Sequence, residues 1–208
     1  MLEKKLSYWY KALNDLKRKD KILAKIIINN QKEQLTIRDR YFISLIRAII
    51  GQQISVKAAQ SIWVKFKKKY KTISPKKLSK ENIRNLRKLG LSKQKASYVK
   101  NISNFFLLNK VKIKNWKNLP DDKIINELTS IKGIGTWTAE MFLIFSLGRP
   151  NVFPIKDLGL LKAISINYKK KLPLQQSFLI KLKKKWHPWC SVATWFLWRS
   201  IDPIPVSY

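Results

Sequence analysis

Apolar residues recur every third or fourth position along most of the chain, the spacing that gathers them on one face of a helix. The run "YWYKALNDL" predicts a first helix, and "RDRYFISLIRAIIGQQISVKAAQSIWVKFKKKY" predicts one or two more. In "SPKKLSKENIRNLRKLG" Ser79 reads as an N-cap and Gly90 as a stop. A helix restarts at Ser92, and Pro120 with Asp121 opens another that Gly133 ends. Further helices are predicted from about Thr136 to Ser146, after Asp157, and from about Ser191 to Ser200. The clusters "NWKNLPDD" and "GRPNVFP" read as loops, and no run keeps the alternation of a strand. The expected fold is all-α.

Composition narrows the function classes. Apolar residues make up 45% of the 208 positions, which excludes a disordered polycation and allows one large domain or two small ones. Forty-four Lys and Arg face 12 Asp and Glu, a net charge of +32. A polyanion is the expected partner, because each neutralised phosphate releases condensed counterions. Lys, Ile and Asn are all abundant, as AT-rich coding would also make them, so charge points to binding and says nothing of chemistry. With only Cys190, the chain cannot form an internal disulfide, a cysteine-ligated zinc site or an iron–sulfur site. With only His187, there is no histidine-rich metal site and no hydrolase triad unless that residue serves. The start of the chain lacks a signal-peptide apolar core. The run "MFLIFSL" is far short of the ~20 residues a bilayer requires. A reduced, DNA-bearing compartment is expected, the cytoplasm of a bacterium or the nucleus of a eukaryote.

The richest segment is "ELTSIKGIGTWTAEMFLIFSLGRPNVFPIKD". A helix ends, the chain turns through Gly133-Ile134-Gly135, and a second helix begins at Thr136. Glycines there let backbone amides approach a ligand without a side chain in the way, and the start of a helix favours an anion. A DNA phosphate fits, although a bare GxG is equally an ordinary tight turn. Asp157, an isolated acid in a basic chain, is placed to cap the helix that follows it.

Taken with its neighbours, this segment resembles the helix-hairpin-helix DNA glycosylase superfamily. The resemblance extends to "FISLIRAIIGQQISVKAAQSI", "LRKLGLSKQKASYV" and "WHPWCSVATWFLWR", from about Tyr41 to Arg199, and is greatest to the alkylpurine, or 3-methyladenine type II, branch. It implies a two-lobed helical bundle with the active-site cleft between the lobes. Residues 35–157 would form a central domain holding the hairpin, and 1–34 with 158–208 a lobe made by the chain ends.

The resemblance also implies roles. Asp157 would be the catalytic carboxylate, answering the positive charge that builds on deoxyribose as an N-glycosidic bond breaks. Trp137, Met141 and Trp198 would line the base pocket; a cationic alkylated purine is attracted to aromatic faces by about 0.5–2 kcal/mol. Trp186, Trp189 and Trp195 read instead as core. Relatives that cut the DNA backbone carry a lysine where this chain has Trp137, and tryptophan cannot form an imine, so no lyase activity is expected. Gln52 and Gln53 would form the wedge that fills the vacated stack. Gly133, Ile134, Gly135, Thr136 and Thr138 would bind phosphate. Carbonyls of Thr129, Ile131 and Ile134 could hold a structural Na+ or K+, with no other cofactor. Cys190 stands where an arginine is expected after "HPW", and Met141 where some relatives carry an aromatic residue. The implied enzyme is a monomeric, monofunctional glycosylase for alkylated purines in double-stranded DNA. Another lesion within the same chemistry (hypoxanthine, ethenoadenine, uracil or an oxidised purine), a non-catalytic hairpin DNA binder and a charge-driven RNA binder are the alternatives.

Overall fold

A computed structural model describes residues 4–30 and 32–202. Chain contacts divide it into two units: Asp39–Phe142, and the residues up to Arg38 together with those from Leu143 onward. Almost every element is helical, as the 3.6-residue apolar spacing predicts.

The unit formed by the chain ends begins with β1 (Lys4–Lys5), α1 (Trp9–Lys19), α2 (Lys21–Asn29) and β2 (Thr36–Ile37). The two strands pair antiparallel, Lys4 opposite Ile37, a two-residue ladder too short to show as alternation. The chain later returns through α11 (Leu158–Asn167), α12 (Gln176–Trp186) and α13 (Cys190–Arg199). Trp9, Leu16, Ile27, Trp186 and Phe196 fill this core, and Trp189 and Trp195 are buried in it as expected. Asp20 caps α2 through the Ile22 and Leu23 amides. The same buried carboxylate accepts from Trp186 Nε1 at 3.0 Å and the Tyr168 hydroxyl at 2.7 Å, and pairs with Lys185 at 3.0 Å.

The central unit runs through α3 (Tyr41–Gly51), α4 (Val56–Lys69), α5 (Pro75–Lys80), α6 (Ile83–Lys88), α7 (Lys93–Leu108), α8 (Lys110–Asn115), α9 (Asp121–Thr129) and α10 (Thr136–Phe142). Its core centres on Trp116, fully buried, whose ring meets Tyr41, Phe106 and Phe142 at centroid distances of 5.9, 5.8 and 5.4 Å. The Trp116 indole donates to Glu127 at 2.7 Å, so burying this large ring leaves no polar atom unpaired.

Three local readings change. Ser79 is not an N-cap: it lies inside α5 and donates back to the Lys76 carbonyl, while Ser74 caps α5 and Asn82 caps α6. Pro75 at the first helical position fixes that start. The helix from Thr136 is α-helical only to Phe142, and Leu143–Leu147 continue as a π-helical turn. That turn packs with β2, where the Arg38 amide donates to the Phe145 carbonyl at 3.0 Å. The chain therefore joins the chain-end unit at Leu143, so Asp157 stands within that unit and not at the close of the central one.

Candidate functional site

The hairpin is built by α9, the turn through residue 135, and α10. Gly133 sits at φ +112°, and a Cβ there would lie 2.3 Å from the Tyr98 ring, so both backbone and packing demand glycine. The Ile134 amide closes the turn onto the Ile131 carbonyl at 2.9 Å. Two carboxamides hold it from outside: Asn101 Nδ2 donates to the Lys132 carbonyl and Gln52 Nε2 to the Gly133 carbonyl, each at 3.1 Å. Gly135 differs. A Cβ there would meet nothing within 4 Å, and both Gly135 and Thr136 are exposed. Nothing internal requires glycine at 135, which leaves its bare backbone open to a ligand. The Ile134 and Thr138 side chains point into the core, and the Ile134 amide is engaged with the Ile131 carbonyl, so of these two only Thr138 can offer a ligand its amide. A helix's first turn presents amide N–H groups without partners inside the helix, and α10 begins here.

Along α10, Trp137 is half-buried and Met141 follows one turn later, 3% exposed. In the same unit α3 ends in the turn Gly51-Gln52-Gln53-Ile54, after which Ser55 caps α4. Gln53 is exposed and takes φ +54°, the left-handed region that costs a non-glycine residue about 1 kcal/mol. Gln52 turns the other way, onto the hairpin. Lys95 Nζ donates to the Ile50 carbonyl at 2.9 Å, and burial pushes its pKa down.

In the chain-end unit, Asp157 is the N-cap of α11. Its Oδ1 accepts from the Leu160 amide at 2.6 Å and from Trp198 Nε1 at 2.9 Å, with the residue only 9% exposed. Gly159 leaves room for this arrangement: a Cβ there would lie 3.2 Å from Oδ1 and 3.6 Å from the Trp198 ring. Phe145 stacks on Trp198 with centroids 5.9 Å apart and planes 16° from parallel. The structure thus joins Asp157 to Trp198 and adds Phe145, which the sequence did not single out because it lies in an unbroken apolar run. Tyr98, Asn101 and Lys95 were missed too, since their roles depend on tertiary neighbours. Cys190 is fully buried, its thiol 3.5 Å from the Lys183 carbonyl and pushed up to about 12 by burial. It fills space where an arginine was expected.

Among the described residues no group of three or more His, Cys, Asp and Glu is placed to hold a metal ion. The carbonyls of Thr129, Ile131 and Ile134 are hard oxygen donors of the kind alkali cations prefer; that of Ile131 already accepts the Ile134 amide and keeps one lone pair. No helix among the described residues is long and apolar enough to cross a membrane.

Residues 46–188 match the model of the HhH-GPD superfamily of base excision DNA repair proteins. The chain is similar to DNA-3-methyladenine glycosylase 1 of Schizosaccharomyces pombe, 30% identical over 86% of this chain and 81% of that protein. It is similar also to a DNA-3-methyladenine glycosylase of Saccharomyces cerevisiae, 33% identical over 83% of this chain and 64% of the relative. Of a Bacillus subtilis relative at 29% identity it spans 58% of the length. The solved structure of the Schizosaccharomyces pombe 3-methyladenine DNA glycosylase in complex with abasic DNA superposes with a TM-score of 0.79 at 27% identity, covering 91% of this chain and 96% of that one.

Proposed function

The chain belongs to the HhH-GPD superfamily of base excision DNA repair proteins, and from that premise we propose that it is a monofunctional DNA glycosylase for alkylated purines. It hydrolyses the N-glycosidic bond of 3-methyladenine or 7-methylguanine flipped out of double-stranded DNA, and leaves an abasic site. The observation that carries this reading is the carboxylate of Asp157, fixed by the Leu160 amide and the Trp198 indole.

The chemistry follows from charge. A purine alkylated at N3 or N7 is cationic and leaves without protonation, so the barrier lies in the oxocarbenium character that develops on the sugar. A carboxylate that does not reorganise during reaction stabilises that charge and can orient or deprotonate the attacking water. Two donors on one oxygen and a stacked ring behind the indole restrict the reorganisation. Trp137, followed one turn later by Met141, would offer a π-face to the cationic base, and Trp198 would offer another. Trp137 also occupies the place of a Schiff-base lysine, so cleavage stops at the abasic site.

Open space at Gly135 supports a phosphate on the amides of Gly133, Gly135, Thr136 and Thr138, with Ile134 serving by closing the turn that presents them. The exposed Gln53 supports a wedge in the vacated stack, whereas Gln52, paired with it in the expectation, is bonded to the hairpin. The Thr129, Ile131 and Ile134 carbonyls would hold Na+ or K+, fastening the turn. The protein acts as a monomer in the compartment that holds the DNA.

The test is base release from duplexes carrying 3-methyladenine, 7-methylguanine, hypoxanthine, ethenoadenine, uracil or 8-oxoguanine, with strand breakage scored with and without alkali. Release of the alkylated purines, with breaks only after alkali, is expected. Asp157→Asn keeps an acceptor for both donors and should lower the single-turnover rate on the order of 10²–10³-fold. Full activity in that variant would end the assignment of Asp157, and breaks without alkali would overturn the monofunctional assignment.

A further inference from the structure

Gln52 and Gln53 are adjacent in sequence, but the backbone sends them to different places. Gln53, in the left-handed region, presents its side chain to solvent. Gln52, the residue that closes α3, folds back so that its carboxamide N–H donates to the Gly133 carbonyl at 3.1 Å. That carbonyl belongs to the one residue of the hairpin whose conformation is forced, by φ +112° and by the Tyr98 ring against its Cα. Gln52 is therefore already engaged, and with the rigid end of the hairpin. The other side of the turn is pinned as well: the Lys95 ammonium, carried on α7, donates to the Ile50 carbonyl at the last turn of α3. The same helix carries Tyr98 against Gly133 and Asn101 on the Lys132 carbonyl.

From this geometry, and resting on the glycosylase reading above, we propose that Gln52 is a positioning residue and not part of the wedge: a tether that fixes Gln53 at a set distance from the phosphate-binding turn. Gln53 and Gly135 would each contact DNA, and the spacing between the two contacts decides whether the gap being filled and the phosphate being gripped belong to the same flipped nucleotide. A rigid tether makes the two contacts cooperative at a distorted site. On regular duplex, where no gap opens, only the hairpin contact forms and the tether contributes nothing.

The substitutions Gln52→Met and Gln52→Lys separate tether from wedge. Methionine has a similar length and an apolar end but no donor; lysine keeps a donor at similar reach. The readout is the ratio of affinities for a duplex carrying a tetrahydrofuran abasic analogue and the same duplex undamaged. A ratio cancels the general electrostatic effect of the added lysine charge. A tether predicts that Gln52→Met loses about tenfold of that ratio, the worth of one hydrogen bond to a rigid acceptor, while Gln52→Lys keeps it. A wedge predicts the reverse order, because an apolar plug suits a base stack; that order overturns the proposal.

Amide hydrogen exchange in the DNA-free protein supplies the second measurement. Gln52→Met should speed exchange through residues 131–135 while leaving α9 protected, and unchanged exchange there overturns the tether whatever the enzyme does. If wild-type protein releases no base yet the exchange responds, the tether stands and the glycosylase reading falls.

Discussion

Gly133 and Gly135 look equivalent in the sequence and have opposite reasons to be glycine. At Gly133 a methyl group would meet the Tyr98 ring at 2.3 Å in a left-handed backbone. Gly133→Ala should cost about 1–3 kcal/mol of stability from the overpacked ring alone, and Tyr98→Ala in that background should recover part of it. Gly135→Ala meets nothing within 4 Å and should melt like wild type while weakening DNA binding, since the added methyl lies where a phosphate would approach. Thermal melting and anisotropy on the same two variants check the contrast. If both lose stability, or Gly135→Ala binds normally, the division of labour is wrong. The GxG spacing was legible in the sequence; which glycine serves the fold and which the ligand was not, because that depends on Tyr98, far along the chain.

At the scale of elements, Asp20 does more than cap α2. It collects donors from the Trp186 indole and the Lys185 ammonium of α12, and from Tyr168 just past α11. Burial alone would raise this carboxyl, but hydrogen bonds from Trp186, Tyr168, the Leu23 amide and Lys185 outweigh it and hold the pKa below the usual range. A depressed folded-state pKa stabilises the protein at pH above the unfolded value, about 4. That stability is lost as pH falls through the folded value. Asp20→Ala, which leaves the buried Trp186 indole without its acceptor while the exposed Lys185 ammonium returns to water, should cost about 1–3 kcal/mol at neutral pH. The gap in melting temperature between wild type and Asp20→Asn should narrow below about pH 4; a gap independent of pH would mean that the charge is irrelevant. The helices themselves were largely readable from apolar spacing. The break between α1 and α2 was not, because Asp20 alone, extended at φ −143°, separates them without glycine or proline. The switch to π-helix at Leu143 was equally hidden, since "LIFSL" is apolar on nearly every side. Asp157 could be read because it is an isolated acid ahead of a helix; its bond to Trp198 could not, because the pair is 41 residues apart.

Across the whole molecule, the net charge of +32 comes from 44 Lys and Arg against 12 acids, and several of those acids are engaged with aromatic donors. Asp15 and Asp20 accept from the indoles of Trp189 and Trp186, Glu127 from Trp116, Asp157 from Trp198, and Glu81 from the Tyr70 hydroxyl. At least five of the 12 acids thus serve aromatic donors, and Asp15, Asp20 and Glu81 also pair with Arg18, Lys185 and Lys69; with 44 Lys and Arg in the chain, most cations still have no acid to offset them. The surface field is therefore strongly positive and sequence-blind, suited to holding any duplex while a lesion is sought. It follows that affinity for undamaged duplex should fall linearly with the logarithm of salt concentration. A footprint of six to ten phosphates corresponds to a loss of roughly 10³–10⁵ in affinity between 50 and 200 mM salt. The slope should stay far below what 32 charges would give, since one duplex can touch only part of the surface. Asp157→Asn should leave the slope unchanged, because that carboxylate is nearly buried and already paired. Gly135→Ala should weaken binding by a similar factor at every salt concentration and leave the slope unchanged, because neutral amides gripping a phosphate release no counterion. A titration series of the three proteins on one undamaged duplex decides the point, and equal affinities for wild type and Gly135→Ala across the series would remove the phosphate from the hairpin.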